Sequence, residues 1–322
     1  MNSNRLCIYF FYDKDGIVDD YIPYQLKSFR EFFDEICFVV NGEINEIGRK
    51  KIAPYINKLL IKENKGMDAG AYKYAILHYG YAKLSTYEEV LCTNFTCFGP
   101  IFPLNELFET MASKKCDWWG LYRMYEKYKG RAYRHMTSFF VVYRKSILES
   151  QQFKEYWETL GDTSTYKLSV LNHEQRQTPY YDKCGFKNEV FIEDLPYKKY
   201  WPLHWTLWCA DTLLIKEHFP FIKRRNFFFE YDRFAYPNVI KRVIPFIKNY
   251  TNYDFTYIQN NLKRTIDYRI TKKVSKFKLL RYLIRSLISL SYKKRMEYKS
   301  RLYSYMHYEK LLHLLEQEKN LK

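Results

Sequence analysis

Apolar residues enter the first hundred positions in blocks, and the blocks alternate between two periods. RLCIYFFY (5–12) is a short aromatic and aliphatic run, DKDG supplies a turn, and IPYQLKSFREFFDE sets Leu26, Phe29, Phe32 and Phe33 at helical spacing. EICFVVNG (35–42) is a second apolar run that ends in a loop. IGRKKIAPYINKLLIKEN then reads as a helix and a third strand, AGAYKYAILHYGYAKL as a helix, and EEVLCTNFT (88–96) as a buried strand opening onto a polar loop. Continuous apolar strands joined by helices predict a mostly parallel sheet of Rossmann type, flanked by helices on both faces. Ligands of such sheets gather at the carboxyl ends of the strands. NG, KENKGMD and TNFT therefore fall along one functional edge.

The pattern continues with PLNELFETMASKK as a helix, CDWWGLY as a strand and RHMTSFFVVYRKSILES as a strand running into a helix. QQFKEYWETL is helical, and HEQRQTPYYDKCGF is a helix that Gly185 stops. NEVFIEDLP adds a strand, and PLHWTLWCADTLLIKEHFPFIK is a helix ended by Pro220. From about residue 236 the character changes to amphipathic helices with polar breaks. The expected organisation is one α/β domain over 1–235 and a basic helical C-terminal region over 236–322.

Composition sharpens this picture in three ways. Aromatics make up 20% of the 322 residues, too much buriable surface for a disordered chain. The net charge of +17 is unevenly spread, because the stretch from Asn260 to Lys322 holds 17 of the 53 Lys and Arg but 5 of the 36 Asp and Glu. A basic tail on a near-balanced domain points to an anionic surface, nucleic acid or phospholipid. The seven cysteines are odd in number, form no C-x-x-C pair and lie mostly within apolar strings, the pattern of buried free thiols in a reducing compartment. The N-terminal apolar run is too short for a signal peptide, and no stretch reaches the roughly 18 apolar residues that span a bilayer. The expected location is cytoplasmic or peripheral.

KENKGMDAGAY (62–72) concentrates the chemistry. Two glycines bracket Asp68 just before a helix, so backbone can approach a ligand closely and the helix start can face negative charge. Asp68 reads either as a ligand or metal contact or as a helix cap. Here the chain resembles a known family. ENKGMDAGAY is similar to the E-N-x-G-x-D-x-G-A-Y signature of the rhamnan synthesis F glycosyltransferases of bacterial polysaccharide assembly. TNFTCFGPIFPLNELFETM resembles their N-D-S-x-x-G-P-F-x-P-L segment, CDWWGLY their D-F-W-G-L strand, and MTSFFVVYRKSILES their serine-aromatic run with R-K-S-x-L. HEQRQTPYYDKCGFK and PLHWTLWCADTLL with FPFIK follow in order. Six blocks over residues 5–225 carry the resemblance, and the tail beyond about 235 lies outside it.

The resemblance implies a GT-A-like, nucleotide-sugar-dependent hexosyltransferase that acts on a lipid-linked capsule or O-antigen glycan. It places Glu174 as the general base that takes the acceptor proton in an inverting transfer, with a helix-start carboxylate as the plainer reading. Glu63, Asn64, Gly66, Asp68, Asn94, Thr96, Asp117, His204 and Lys223 are the implied donor-binding residues. Trp119 and His135 are the acceptor-side candidates, with Asp117, Trp118 and Trp119 expected to close a strand at the functional edge. Asp68, Asp117 and His204 are the candidate ligands for a divalent Mg or Mn ion. Phe95 stands where the family carries an aspartate, which puts that cofactor in doubt. Lys223, Arg224 and Arg225 read either as counter-charge for the leaving diphosphate or as a solvated run.

The tail supplies a separate constellation. Leu279, Leu280, Leu283, Ile284, Leu287, Ile288 and Leu290 form a helical apolar stripe, bordered by Lys276, Lys278, Arg281, Arg285, Lys293, Lys294 and Arg295. Such a helix suits the interface of an anionic leaflet, or packs on the domain or on a second protein. No reader motif accompanies the charge, so nucleic acid is not the expected partner. The expectation is a transferase on the inner face of the bacterial plasma membrane, moving rhamnose from dTDP-rhamnose to a growing lipid-linked glycan. A UDP-sugar donor of galactose type, a nucleic-acid-binding module and a degenerate, non-catalytic transferase are the alternatives.

Overall fold

The computed structural model describes residues 4–128, 131–200, 205–227, 239–269 and 276–290, with residues 295 and 298. They form two compact units, one of residues 1–95 and 103–205, the other of 96–102 and 206–322. The short segment after Phe95 groups with the second unit.

The strands are β1 (Arg5–Phe11), β2 (Glu35–Asn41), β3 (Lys58–Lys62), β4 (Glu89–Asn94), β5 (Cys97–Phe98), β6 (Trp118–Tyr128), β7 (Arg131–Met136), β8 (Phe140–Arg144), β9 (Asn188–Ile192) and β10 (Ile222–Lys223). The first unit is built on one sheet in the order β3-β2-β1-β4-β8-β6-β7, with β9 also paired to β6. β1 to β4 are mutually parallel, β8 runs against β4, and β6 and β9 resume the original direction. Central strands are buried along nearly their whole length, as their unbroken apolar runs require: β4 is buried at all six positions and β1 at six of seven. Helices Tyr21–Phe29, Met67–Tyr79 and Gln151–Glu158 cover the sheet, and Phe153, Tyr156, Trp157, Trp118, Tyr143 and Tyr181 form an aromatic core on one face. Trp157 is fully buried, and deleting such a side chain costs about 3–5 kcal/mol.

Two elements differ from their expected form. β6 extends six residues past Tyr122, where its apolar run ends, and pairs antiparallel with β7. The helix carrying Glu174 is compound, with an α turn at Tyr166–Ser169, a π turn at Val170–Glu174 and an α segment at Gln175–Lys183. Its stop at Gly185 has φ +88°, the left-handed conformation that glycine adopts freely.

The second unit pairs β5 with β10, antiparallel, and contains helices Ala210–Lys216, Ile244–Tyr250, Thr256–Arg269 and Lys276–Ile288. Arg242 closes on the buried Asp211 at 2.7 Å. The single helix expected from Pro202 is broken at Cys209, into Trp205–Trp208 and Ala210–Lys216.

Candidate active site

Four segments of the first unit converge at the carboxyl end of β4. β4 ends in Asn94, and the helix Met67–Tyr79 brings Asp68 in its first turn. The turn 137–139 between β7 and β8 brings Ser138, since Phe140 pairs with Thr93. The compound helix brings Ser169 from its α turn and His173 and Glu174 from its π turn. A π turn widens the helix and redirects side chains, and such turns recur at functional sites.

The loop into Asp68 depends on backbone that few residues tolerate. Gly66 has φ +86°, and a Cβ there would lie 2.9 Å from the Cα of Gly70. Met67 follows at φ +52°, unusual for a residue with a side chain. The two glycines of the motif thus serve the loop's shape and allow a tight first turn.

Asp68 is held from four sides. Its Oδ1 accepts from the Ala69 N–H at 2.9 Å and from Ser169 Oγ at 3.1 Å. Its Oδ2 accepts from Asn94 Nδ2 at 3.4 Å and lies 3.2 Å from Ser138 Oγ. Glu174 Oε2 accepts from both the N–H of Ser138 (3.0 Å) and its hydroxyl (2.8 Å), while Oε1 faces His135 Nε2 at 3.4 Å. Burial pushes the Glu174 carboxyl up, but the hydrogen bond and charge of His135 and the two bonds from Ser138 outweigh it and hold the group at about 2. Its side chain stays 21% exposed, so the carboxylate is ionised at neutral pH and still reachable. His173 is buried, with Nδ1 at 2.9 Å from the Tyr156 hydroxyl, and burial pushes its pKa down against the pull of Asp68 and Glu174.

Asp68, Asn94, His135 and Glu174 are therefore brought together as the sequence suggested. Ser138, Ser169 and His173 complete the cluster and were not anticipated. The available sign for Ser138 was its place directly before the apolar run FFVVY, where a polar residue meets the end of a buried strand.

Other expected residues lie elsewhere. Asp117 precedes β6 rather than ending it, at the amino edge of the sheet, where it accepts from Ser146 Oγ (2.7 Å) and the Lys187 N–H (2.7 Å). This corrects its expected place in the donor site. Trp119 is corrected too: it is 1% exposed, packs on Phe108 and Phe140, and points Nε1 at Glu89, so no sugar can stack on it. Glu63 is exposed and pairs with Lys65 at 2.7 Å, and Asn64 is exposed beside it; neither meets the carboxylate pair. Thr96 and Lys223 belong to the second unit, where the Arg224 N–H donates to the Thr96 carbonyl (3.0 Å) and Lys223 Nζ lies 3.5 Å from Thr96 Oγ1. His204 lies outside the described residues.

Among the described residues, the groups around Asp68 do not form a divalent-cation site as they stand. Asp68 and Asp117 sit at opposite ends of the sheet and cannot share an ion. The Ala69 N–H and the Ser169, Asn94 and Ser138 side chains are turned to donate to Asp68, and Ser138 and His135 engage the neighbouring Glu174 carboxylate, whereas Mg²⁺ or Mn²⁺ needs such oxygens turned toward it. Among the described residues no group of three His, Cys, Asp or Glu is placed to hold one. Phe95, at the position of the family aspartate, packs its ring on Phe10 and Phe11 at 5.6 and 5.8 Å.

Residues 36–322 match a family model described as Rhamnan synthesis protein F. The match runs through the tail, which the sequence motifs left uncovered. None of the curated proteins matches the chain. Similar solved structures include 4-diphosphocytidyl-2C-methyl-D-erythritol synthase from Anaerococcus prevotii DSM 20548, at 12% identity over 59% of this chain and 87% of that chain, with a TM-score of 0.38. A putative nucleotide-diphospho-sugar transferase from Desulfovibrio desulfuricans G20 is similar at 10% identity over 63% and 90% of the two chains, with a TM-score of 0.36. Core-mannan synthase A from Aspergillus fumigatus is similar at 10% identity over 49% and 63%, with a TM-score of 0.31.

Proposed function

The chain belongs to the rhamnan synthesis protein F family, and from that premise we propose that it transfers rhamnose from dTDP-rhamnose, with inversion, to a lipid-linked bacterial cell-surface glycan. It is a nucleotide-sugar-dependent glycosyltransferase; the sugar, the nucleotide, the acceptor and the stereochemistry are the proposal. The observation that carries the reading is the carboxylate pair Asp68 and Glu174, gathered by Ser138 at the carboxyl end of β4.

In this reading the acceptor hydroxyl approaches Glu174 from its exposed side. As the acceptor oxygen bonds to the anomeric carbon, the bond from that carbon to the diphosphate breaks and dTDP leaves. Glu174 takes the hydroxyl proton, and His135 behind Oε1 steadies the carboxylate. A carboxylate held near 2 is a weak base but a wholly ionised one, and it needs to bind the proton only as the acceptor oxygen becomes positive. Asp68 and Asn94 orient the donor. No step runs through a metal ion.

The apolar stripe of the helix Lys276–Ile288 holds the enzyme on the inner leaflet beside its acceptor. No described helix is long and apolar enough to cross a membrane. The test incubates the purified full chain with dTDP-rhamnose, UDP-galactose and UDP-glucose, with and without a lipid-linked acceptor, and measures nucleoside diphosphate release and glycan extension. The expected result is extension with dTDP-rhamnose. Extension with UDP-galactose instead overturns the donor assignment, and no extension from any sugar nucleotide overturns the proposal.

A further inference from the structure

Ser138 sits between the two carboxylates with one hydroxyl proton to offer. Its Oγ is 2.8 Å from Glu174 Oε2 and 3.2 Å from Asp68 Oδ2, which places those two oxygens no more than about 6 Å apart. The hydroxyl donates to one or the other but not to both. Glu174 Oε2 has a second hold, the Ser138 backbone N–H at 3.0 Å, which no rotation of the side chain alters.

The turn that carries Ser138 is fixed on three sides. The Met136 N–H donates to Thr178 Oγ1 at 2.9 Å, tying the turn to the helix of Glu174. Thr93 Oγ1 donates to the Phe139 carbonyl at 3.0 Å, tying it to β4. Thr137 reaches the Tyr122 carbonyl of β6 at 3.4 Å. Ser138 itself is 6% exposed. A buried hydroxyl on a rigid turn retains one freedom, rotation about its C–O bond.

Resting on the proposed transfer reaction, we propose that Ser138 is a positioning residue that fixes the separation of Asp68 and Glu174 and switches its single proton between them. With its proton on Asp68, the hydroxyl leaves Glu174 held by the N–H and His135 and free to take the acceptor proton. Once Glu174 is protonated, Ser138 Oγ accepts from it and continues to donate to Asp68, so the carboxylic acid keeps a partner. No atom is gained or lost at Ser138. Asp68 keeps the Ala69 N–H, Asn94 and Ser169 as donors whichever way the hydroxyl turns, so loss of the hydroxyl falls on the chemical step at Glu174 more than on donor binding.

The experiment compares wild type with Ser138→Ala, Ser138→Cys and Ser138→Thr in the full chain, each checked for an unchanged far-ultraviolet spectrum. Steady-state kinetics are measured with the active donor, and the imidazole ¹⁵N shifts of His135 by NMR. Ala and the nearly isosteric Cys, a weak donor, should lower kcat about 10-fold or more, at a donor KM within about twofold of wild type. Thr, which keeps the hydroxyl, should recover most of kcat. The His135 shifts should move in Ala and Cys and return in Thr, whatever the turnover. Wild-type kcat in the Cys variant overturns the proposal, as does an unmoved His135 signal in both Ala and Cys. Should wild type turn over no sugar nucleotide, the transferase reading falls, and the NMR arm alone decides whether Ser138 sets the Glu174–His135 contact.

Discussion

Glu174 links the proposed chemistry to the stability of the fold. Its ordinary pKa of 4.5 is lowered to about 2 in the folded chain. A depressed carboxyl stabilises the fold above its unfolded pKa, and that contribution fades as pH falls through the folded value. Wild type should therefore lose stability between about pH 4.5 and pH 2 in part through this group, worth about 3 kcal/mol at neutrality. Glu174→Gln should show a shallower fall in melting temperature across that window. Equal slopes in the two proteins would mean that His135 and Ser138 do not hold the carboxylate as described. At Phe95 the expectation concerns metal. A ring packed on Phe10 and Phe11 offers no ligand, and Asp68 is ringed by donors. Transfer should therefore persist after exhaustive chelation, whereas full loss with rescue by Mg²⁺ or Mn²⁺ would show that other groups hold an essential cation.

At the scale of elements, the loop before the helix Met67–Tyr79 makes the sharpest forecast. Gly66→Ala faces both a positive φ and a Cβ 2.9 Å from backbone, whereas Gly80→Ala has φ +75° with open space around it. Gly66→Ala should cost about 1–2 kcal/mol for its left-handed helical backbone, and Gly80→Ala, at ψ 148°, about 1–3 kcal/mol for a conformation that is essentially glycine's own. Only Gly66→Ala should also displace Asp68 and reduce transfer, which thermal melts and diphosphate release on both variants will separate. The same scale shows what the sequence made legible. β1, β2 and β4 announce themselves as apolar runs because central parallel strands are buried on both faces. The hairpin arm of β6 and β7 is written in RMYEKY and RAYRHM, where pairing rather than an apolar run makes the strand. Asp117 and Trp119 were misplaced because composition marks a strand without giving its direction: Asp117 opens β6, so it lands at the far edge from Asn94. The π turn was invisible, since one added residue per turn leaves the apolar spacing of a short helix almost unchanged. Ser138 and Ser169 escaped notice because a serine gains its role only from the two carboxylates that the fold brings to it.

The chain carries a candidate site in its first unit and, separately, a basic tail that has a face to offer. On the helix Lys276–Ile288 and just beyond it, Leu280, Leu283, Ile284, Leu287, Ile288 and Leu290 are all at least 40% exposed, while Tyr282 and Ser286 are buried. Exposed aliphatics beside Arg281 and Arg285 suit an anionic leaflet, where each cation near the surface contributes about 1 kcal/mol. Truncation near Asn260 is a poor probe, because it cuts the helix Thr256–Arg269 at the buried Asn261 and Leu262. Replacing Leu283, Ile284, Leu287 and Ile288 with Ser should instead abolish co-sedimentation with anionic liposomes and spare both melting temperature and transfer to a short soluble acceptor. Wild type that ignores such liposomes at low salt would contradict the membrane reading.

The most direct test of the central claim is the transfer rate of Glu174→Gln at saturating donor, measured beside its donor affinity by calorimetry. The account predicts a rate lowered about 10²–10⁴-fold, the usual cost of removing a general base, with donor affinity close to wild type. A folded variant that keeps more than about a tenth of the wild-type rate would show that the proton goes elsewhere and that the carboxylate pair is not the catalytic centre.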